Sequence, residues 1–150
     1  MKTGFDQQGG TRDYPNMIFA YGTLKENQTN HNVIKHGEGL FVGYAKTKRK
    51  MSMGGNGHFP FVAPKPALYE IQGELWAVSQ QTLDQIDKLE RHPTFLRRTE
   101  TDIMLPEGEV TAWIYLACNF LDTRRYVVGH WPSAKNSKVA NYEKTSAWQR

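Results

Sequence analysis

Met17-Ile18-Phe19-Ala20-Tyr21-Gly22-Thr23-Leu24 is the stretch on which the fold of this chain turns. Five apolar, strand-like residues run up to Gly22, where the missing Cβ lets the backbone bend or come close to a ligand. A strand therefore feeds a loop. Upstream, residues 1–16 are polar and glycine-containing and end in Asp13-Tyr14-Pro15, which reads as a loose leader. Downstream, Asn30 to Lys35 suits a short helix capped by Asn30, with Val33 and Ile34 inward and Gly37 at its end.

Leu40 to Ala45 reads as a strand running into the basic cluster Lys46, Lys48, Arg49 and Lys50. Such a run either touches an anionic partner or forms a charged sheet edge, and the edge is the expectation. Gly54-Gly55-Asn56-Gly57 is not followed by Gly-Lys-Ser/Thr, so it reads as a turn before Phe59 to Ala63 and not as a phosphate loop. Ala67 to Ala77 predicts a strand in which Gly73 marks a bulge or bend. Ser79 then caps a helix whose apolar positions Leu83, Ile86 and Leu89 share one buried face, and Pro93 ends it. Glu90 lies seven residues after Leu83, nearly two turns, so its carboxylate falls close to the inward stripe and is a candidate buried acid. Asp87, one turn earlier, reads as part of a charged helix face with no catalytic role. Phe95 to Met104 alternates like a partly exposed strand, and Pro106-Glu107-Gly108 turns it into Val110 to Ala117.

Bulk features bound the function. At 150 residues, with 39% hydrophobic and 12% aromatic content, the chain fits one globular domain with a real core. Residues 1–120 carry 13 Lys+Arg against 13 Asp+Glu, while residues 121–150 carry 6 against 2, so the whole net charge of +4 belongs to the tail. A balanced domain with a basic tail argues against nucleic acid, which needs clustered charge on a folded face. Cys118 is the only cysteine, which excludes an intrachain disulfide and fits a reducing cytosol; its apolar neighbours mark it as a small buried hydrophobe. No secretion signal and no apolar stretch of about eighteen residues is visible, so a cytoplasmic protein with no membrane partner is expected. The five histidines show no metal-ligand spacing, and neither a metal nor another cofactor is expected. Three regions follow: a leader at 1–16, a domain at 17–120, and a basic tail at 121–150 in which Tyr126, Val127, Val128 and Trp131 are able to dock.

Several short motifs occur in a telling order: Phe19, Tyr21, Gly22, Thr23, Leu24 and Lys25; Asn30 and His31; Phe59 and Pro60; Gly73-Glu74-Leu75-Trp76; Leu83, Asp87, Leu89, Glu90, Pro93 and Arg98; and Trp113 to Tyr115. Over residues 17–118 this pattern resembles the γ-glutamyl cyclotransferase-like superfamily, and within it the γ-glutamylamine cyclotransferases. The resemblance implies an α+β domain, a mixed-strand β-barrel-like body with short helices, in which the Tyr-Gly-Thr-Leu loop and an acid converge on a cavity. One departure stands out. The family commonly has a tyrosine six residues after the acid, where this chain has Leu96 beside Phe95, so a pocket hydroxyl is missing and substrate identity is affected.

The implied reaction suits these residues. In a γ-glutamyl amine the substrate's own α-amine attacks its γ-carbonyl, closing a five-membered ring and expelling an amine, so no serine or cysteine nucleophile is needed. Glu90 would take the ammonium proton and return it to the leaving nitrogen, helped by burial that raises its pKa. Backbone N–H groups of Gly22, Thr23 and Leu24 would hold either the oxyanion or the substrate's α-carboxylate. Tyr21 and Tyr115 would line the pocket, and His31 is more simply a loop residue making local hydrogen bonds. The expectation is a small-molecule γ-glutamyl substrate yielding free amine and 5-oxoproline, with a γ-glutamyl dipeptide or an acylated antibiotic intermediate as alternatives. A non-catalytic binding module using the basic segments is the competing class.

Overall fold

The computed structural model describes residues 13–55, residues 60–117 and the backbone of residues 126–127. Cys118, Phe59 and the rest of the leader and tail lie outside them. The unbroken apolar run at 17–21 is explained by its place: β1 (Asn16–Ala20) lies between two partners and is covered on both faces. It pairs antiparallel with β4 (Tyr69–Val78), from Asn16↔Val78 to Ala20↔Glu74, and parallel with β6 (Gly108–Ala117) at Ile18↔Trp113. Along a strand, alternate side chains take opposite faces. Met17 and Phe19 accordingly enter one core with Ile71, Leu75 and Ile114, while Ile18 and Ala20 enter a second one.

The sixteen-residue β2 (Leu40–Gly55) pairs with β4 and also, at Lys46↔Met104 and Thr47↔Ile103, with β5 (Leu96–Leu105). Since β5 pairs with β6 through the two-residue turn at 106–107, the ring β1-β4-β2-β5-β6 closes into a five-stranded mixed barrel. Closure leaves this ring without an edge strand. β3 (Pro60–Ala63) and β7 (Tyr126–Val127) sit outside the ring, each antiparallel to the end of β2, and the β7 pairing involves two of the tail residues singled out as able to dock.

Two short helices cover the second core. α1 (Asn32–His36) contributes Ile34, and α2 (Gln80–Leu89) contributes Leu83 and Ile86, all fully buried. Each such side chain taken from water contributes roughly 1.5–3 kcal/mol. Ser79 caps α2 as the sequence predicts, its Oγ accepting from the Thr82 amide at 3.1 Å. Four expectations need adjustment. α1 starts two residues late, because the side chains of Asn30 and His31 bond the preceding loop at Thr23 and Leu24 and not the helix. α2 stops at Leu89, ahead of Pro93, and Leu89 is 42% exposed, with Thr82 taking a buried place beside Leu83. The irregularities of the β2–β4 ladder fall in β2, between Phe41 and Gly43 and between Lys46 and Lys50, while Gly73 stays in register with Ala45; a Cβ at Gly73 would lie 2.4 Å from the Ala20 carbonyl oxygen. Lastly, Lys46 lies on the seam that closes the barrel, not on an edge, and it pairs with Glu70 at 3.0 Å as Lys48 does with Glu109 at 3.2 Å.

Candidate active site

At the end of β1 the chain leaves the sheet as a loop, and the end of α2 comes to face it across a cavity of about 480 Å³. Tyr21, Gly22, Thr23, Leu24, Glu90 and Tyr115, the six residues singled out in the sequence, all line this one cavity. Glu90 occupies the C-cap position of α2, its amide bonded to Ile86 O at 2.8 Å, and the chain then reverses through Arg91 at φ 57°. Helix geometry thus delivers the carboxyl to the helix end, where it is half-buried. Burial pushes its pKa up to about 7. Among the described residues none is hydrogen-bonded to that carboxyl.

Facing it, the loop is firmly tied. Lys25 N donates to Gly22 O at 3.0 Å, and Asn30 N to Thr23 O at 2.9 Å. Asn30 Nδ2 donates to Thr23 Oγ1 at 2.8 Å, and His31 Nδ1 meets Leu24 O at 2.9 Å. In contrast, the amides of Gly22, Thr23 and Leu24 meet no acceptor among the described residues. Unsatisfied donors gathered on one loop are what an anionic group binds. Gly22 is needed for packing here: a Cβ would stand 2.6 Å from Pro60 Cγ, so its bareness makes room for β3.

The two tyrosines are braces. Tyr21 Oη donates to the Tyr115 carbonyl at 2.6 Å, and Tyr115 Oη donates to Asp87 Oδ1 at 2.6 Å. Asp87 Oδ1 also lies 3.0 Å from Arg98 Nε, and the Arg98 guanidinium stacks over Trp113 with its Cζ 4.3 Å from the ring centroid. Burial, then the nearby Glu90 charge, raises the Tyr21 hydroxyl; burial and then the hydrogen bond to Asp87 raise Tyr115. Both phenols therefore stay protonated near neutrality. Asp87, taken from the sequence as a solvated face, instead fixes the ring of Tyr115; the clue was its one-turn spacing from Glu90 together with Arg98 on the next strand.

The remaining wall is apolar. Phe61 and Phe95 meet edge-on at 5.1 Å and 84°, Leu96 is buried beside them, and Arg91 lies 5.5 Å from the Phe95 ring centroid. At Leu96, where the family resemblance leads to the expectation of a tyrosine hydroxyl, the structure offers a hydrocarbon surface. Phe61, Phe95 and Arg91 carried no separate signal, because their place depends on how β3 and the turn after α2 fold back. Among the described residues no group of three or more His, Cys, Asp or Glu side chains is placed to hold a metal ion. No helix among them is long and apolar enough to cross a membrane.

Comparison with known proteins gives the same direction. The sequence profile of the family described as gamma-glutamyl cyclotransferase, AIG2-like, matches residues 18–133. A Methanocaldococcus jannaschii protein provisionally named a gamma-glutamylcyclotransferase is 38% identical over 100 residues, covering 65% of this chain and 81% of its own. Gamma-glutamylaminecyclotransferase A of Danio rerio is 30% identical over 112 residues, covering 69% and 70% respectively. Among solved structures, an AIG2-like protein from Mus musculus superposes with a TM-score of 0.64 at 28% identity, covering 71% of this chain and 79% of that one.

Proposed function

We propose, from the premise that this chain belongs to the gamma-glutamyl cyclotransferase, AIG2-like family, that it is a γ-glutamylamine cyclotransferase releasing a free amine and 5-oxoproline. The membership makes it a γ-glutamyl cyclotransferase; the finer assignment to amines draws on the relative from Danio rerio that carries that name. The observation that carries the chemistry is the pairing in one cavity of a half-buried carboxyl, Glu90, with the amides of Gly22, Thr23 and Leu24, none of which has a hydrogen-bond partner among the described residues.

The substrate enters with its α-amine as an ammonium, which has no lone pair to attack with. Glu90 accepts one of its protons. The freed nitrogen then attacks the γ-carbonyl carbon, a five-membered ring forms, and the carbonyl oxygen becomes an oxyanion. The amides of Gly22, Thr23 and Leu24 stabilise that charge or hold the α-carboxylate. As the bond from the γ-carbon to the leaving nitrogen breaks, Glu90 delivers its proton there, and the surplus proton on the ring nitrogen passes through the carboxylate to the departing amine, which leaves as an ammonium with Glu90 ionised again. A carboxyl of pKa about 7 suits both halves, because acid and base forms are each well populated near neutrality. Tyr21 and Tyr115 shape the floor, and the Phe61, Phe95 and Leu96 wall receives the leaving amine.

A panel of γ-glutamyl conjugates tests the reading: ε-(γ-glutamyl)-lysine, γ-glutamyl-putrescine and γ-glutamyl dipeptides, scored by released amine and 5-oxoproline. Release from the amine conjugates supports it. Release only from dipeptides moves the substrate class, and no release from any conjugate, with binding retained, gives the site to a binding module.

A further inference from the structure

We infer that Glu74 and Lys25, which no step above uses, are positioning residues that hold the Gly22–Leu24 amides in place from behind the loop. The catalytic consequence rests on the reaction proposed above, whereas the anchoring itself does not. Glu74 projects from β4 and is 5% exposed, and Lys25 is 3% exposed. A carboxylate and an ammonium removed from water cost free energy unless each is compensated. Here the compensation is partial, burial still raising the Glu74 carboxyl and lowering Lys25 to about 8. Glu74 Oε1 accepts from the Glu26 amide at 2.8 Å and from Trp76 Nε1 at 3.1 Å, and Lys25 lies close enough that each charge favours the other.

These contacts form a closed circuit. Glu74 holds Glu26, the second residue after Leu24; Leu24 O is held by His31; the His31 ring packs on Trp76 at 4.9 Å; and Trp76 returns to Glu74. Leu24, whose amide is one of the three without an acceptor among the described residues, belongs to that circuit, and Gly22 and Thr23 immediately precede it along the chain. A loop without regular structure loses much conformational entropy when fixed, and donors aimed in advance spare that reorganisation during reaction. A charged acceptor suits the place, since hydrogen bonds to an ionised oxygen are about twice as strong as neutral ones.

The test uses the full chain with four variants: Glu74→Ala, Glu74→Gln, Lys25→Met and the double Lys25→Met/Glu74→Gln. Amide hydrogen exchange is followed in the peptide spanning 22–31, with peptides from β1 and β6 as internal references. Steady-state rates are measured on whichever conjugate the wild type turns over fastest. Glu74→Ala is expected to speed exchange in 22–31 by about tenfold or more while the reference strands change by less than about threefold. Each single charge-removing variant should lower kcat/KM by about tenfold or more. The double variant, which keeps an amide oxygen for Glu26 and Trp76 and leaves no charge unpaired, should return to within about fivefold of wild type. Unchanged exchange at 22–31, acceleration shared equally by the barrel strands, or a double variant no better than the product of the singles would each overturn the inference. Should the wild type release no 5-oxoproline from any conjugate, the proposed reaction fails, while the exchange data still decide whether Glu74 anchors the loop.

Discussion

Two carboxylates flank the same loop, Glu90 lining the cavity and Glu74 bonded to the Glu26 amide away from its lining, and their surroundings differ. Glu74 is almost wholly buried, accepts two hydrogen bonds and has a cation beside it. Glu90 is half-buried, and no described residue hydrogen-bonds its carboxyl. Burial raises both acids, but at Glu74 the Glu26 amide, the Trp76 indole and Lys25 pull the other way. The contrast separates an acid that the fold has satisfied from one that it has left wanting a proton. A satisfied acid holds a shape; an unsatisfied one at a cavity wall is equipped for chemistry.

The comparison breaks most sharply at Glu90→Gln. The amide keeps the volume and loses the proton traffic, so turnover should fall by about 10³-fold, with the fold kept by circular dichroism. Survival of turnover would make Glu90 no different in kind from Glu74. Next in size is a pH effect. A carboxyl raised on folding from 4.5 to about 7 binds its proton more tightly folded than unfolded, so its contribution to stability is full below 4.5 and is lost as pH rises through 7. The wild type should therefore lose roughly 1–3 kcal/mol between pH 4.5 and 8 that Glu90→Gln retains, read from denaturant melts at both pH values. In the same window kcat/KM should fall towards acid with a midpoint near 7, since the free enzyme needs the ionised form.

Smaller effects sharpen the picture. Gly22→Ala places a methyl 2.6 Å from Pro60 Cγ, and overpacking of this kind costs about 1–3 kcal/mol; melts and kcat/KM should drop together, because the site loop itself must move. Tyr115→Phe removes only the hydroxyl that donates to Asp87, an effect of about 1 kcal/mol on stability, with kcat/KM reduced by severalfold at most. A larger loss in activity than in stability would give that phenol a part in the reaction that its commitment to Asp87 argues against.

Much of this was legible in the residues. The apolar run into Gly22, the Ser79 cap and the seven-residue step from Leu83 to Glu90 are local signals, and local geometry carries them into the structure. What escaped depends on distant pairings. The closure of β2 onto β5 rests on two residue pairs some 56 to 58 positions apart in the chain, and nothing near Lys46 announces it. Asp87 is assigned to a solvated face by helix periodicity alone, and only the approach of β6 with Tyr115 and of β5 with Arg98 gives it partners. Leu89 follows the inward spacing of Leu83 and Ile86 yet ends up at the cavity mouth, because the helix stops there and no layer covers its last turn. Glu74 was legible only as one letter of a motif; its task appears once β4 is laid beside the loop.

Pro60 and Phe61 reach the cavity from β3, which hangs on the far end of β2 outside the ring of five. The barrel's hydrogen-bond ladder therefore closes without the strand that supplies this part of the rim. The ring that carries Glu90 and the strand that shapes this part of the wall are different parts of the ladder that meet at one seam, where Pro60 packs against the bare Gly22. A scaffold so arranged can vary the wall of its cavity through one appendage, provided the replacement keeps room for the loop at Gly22.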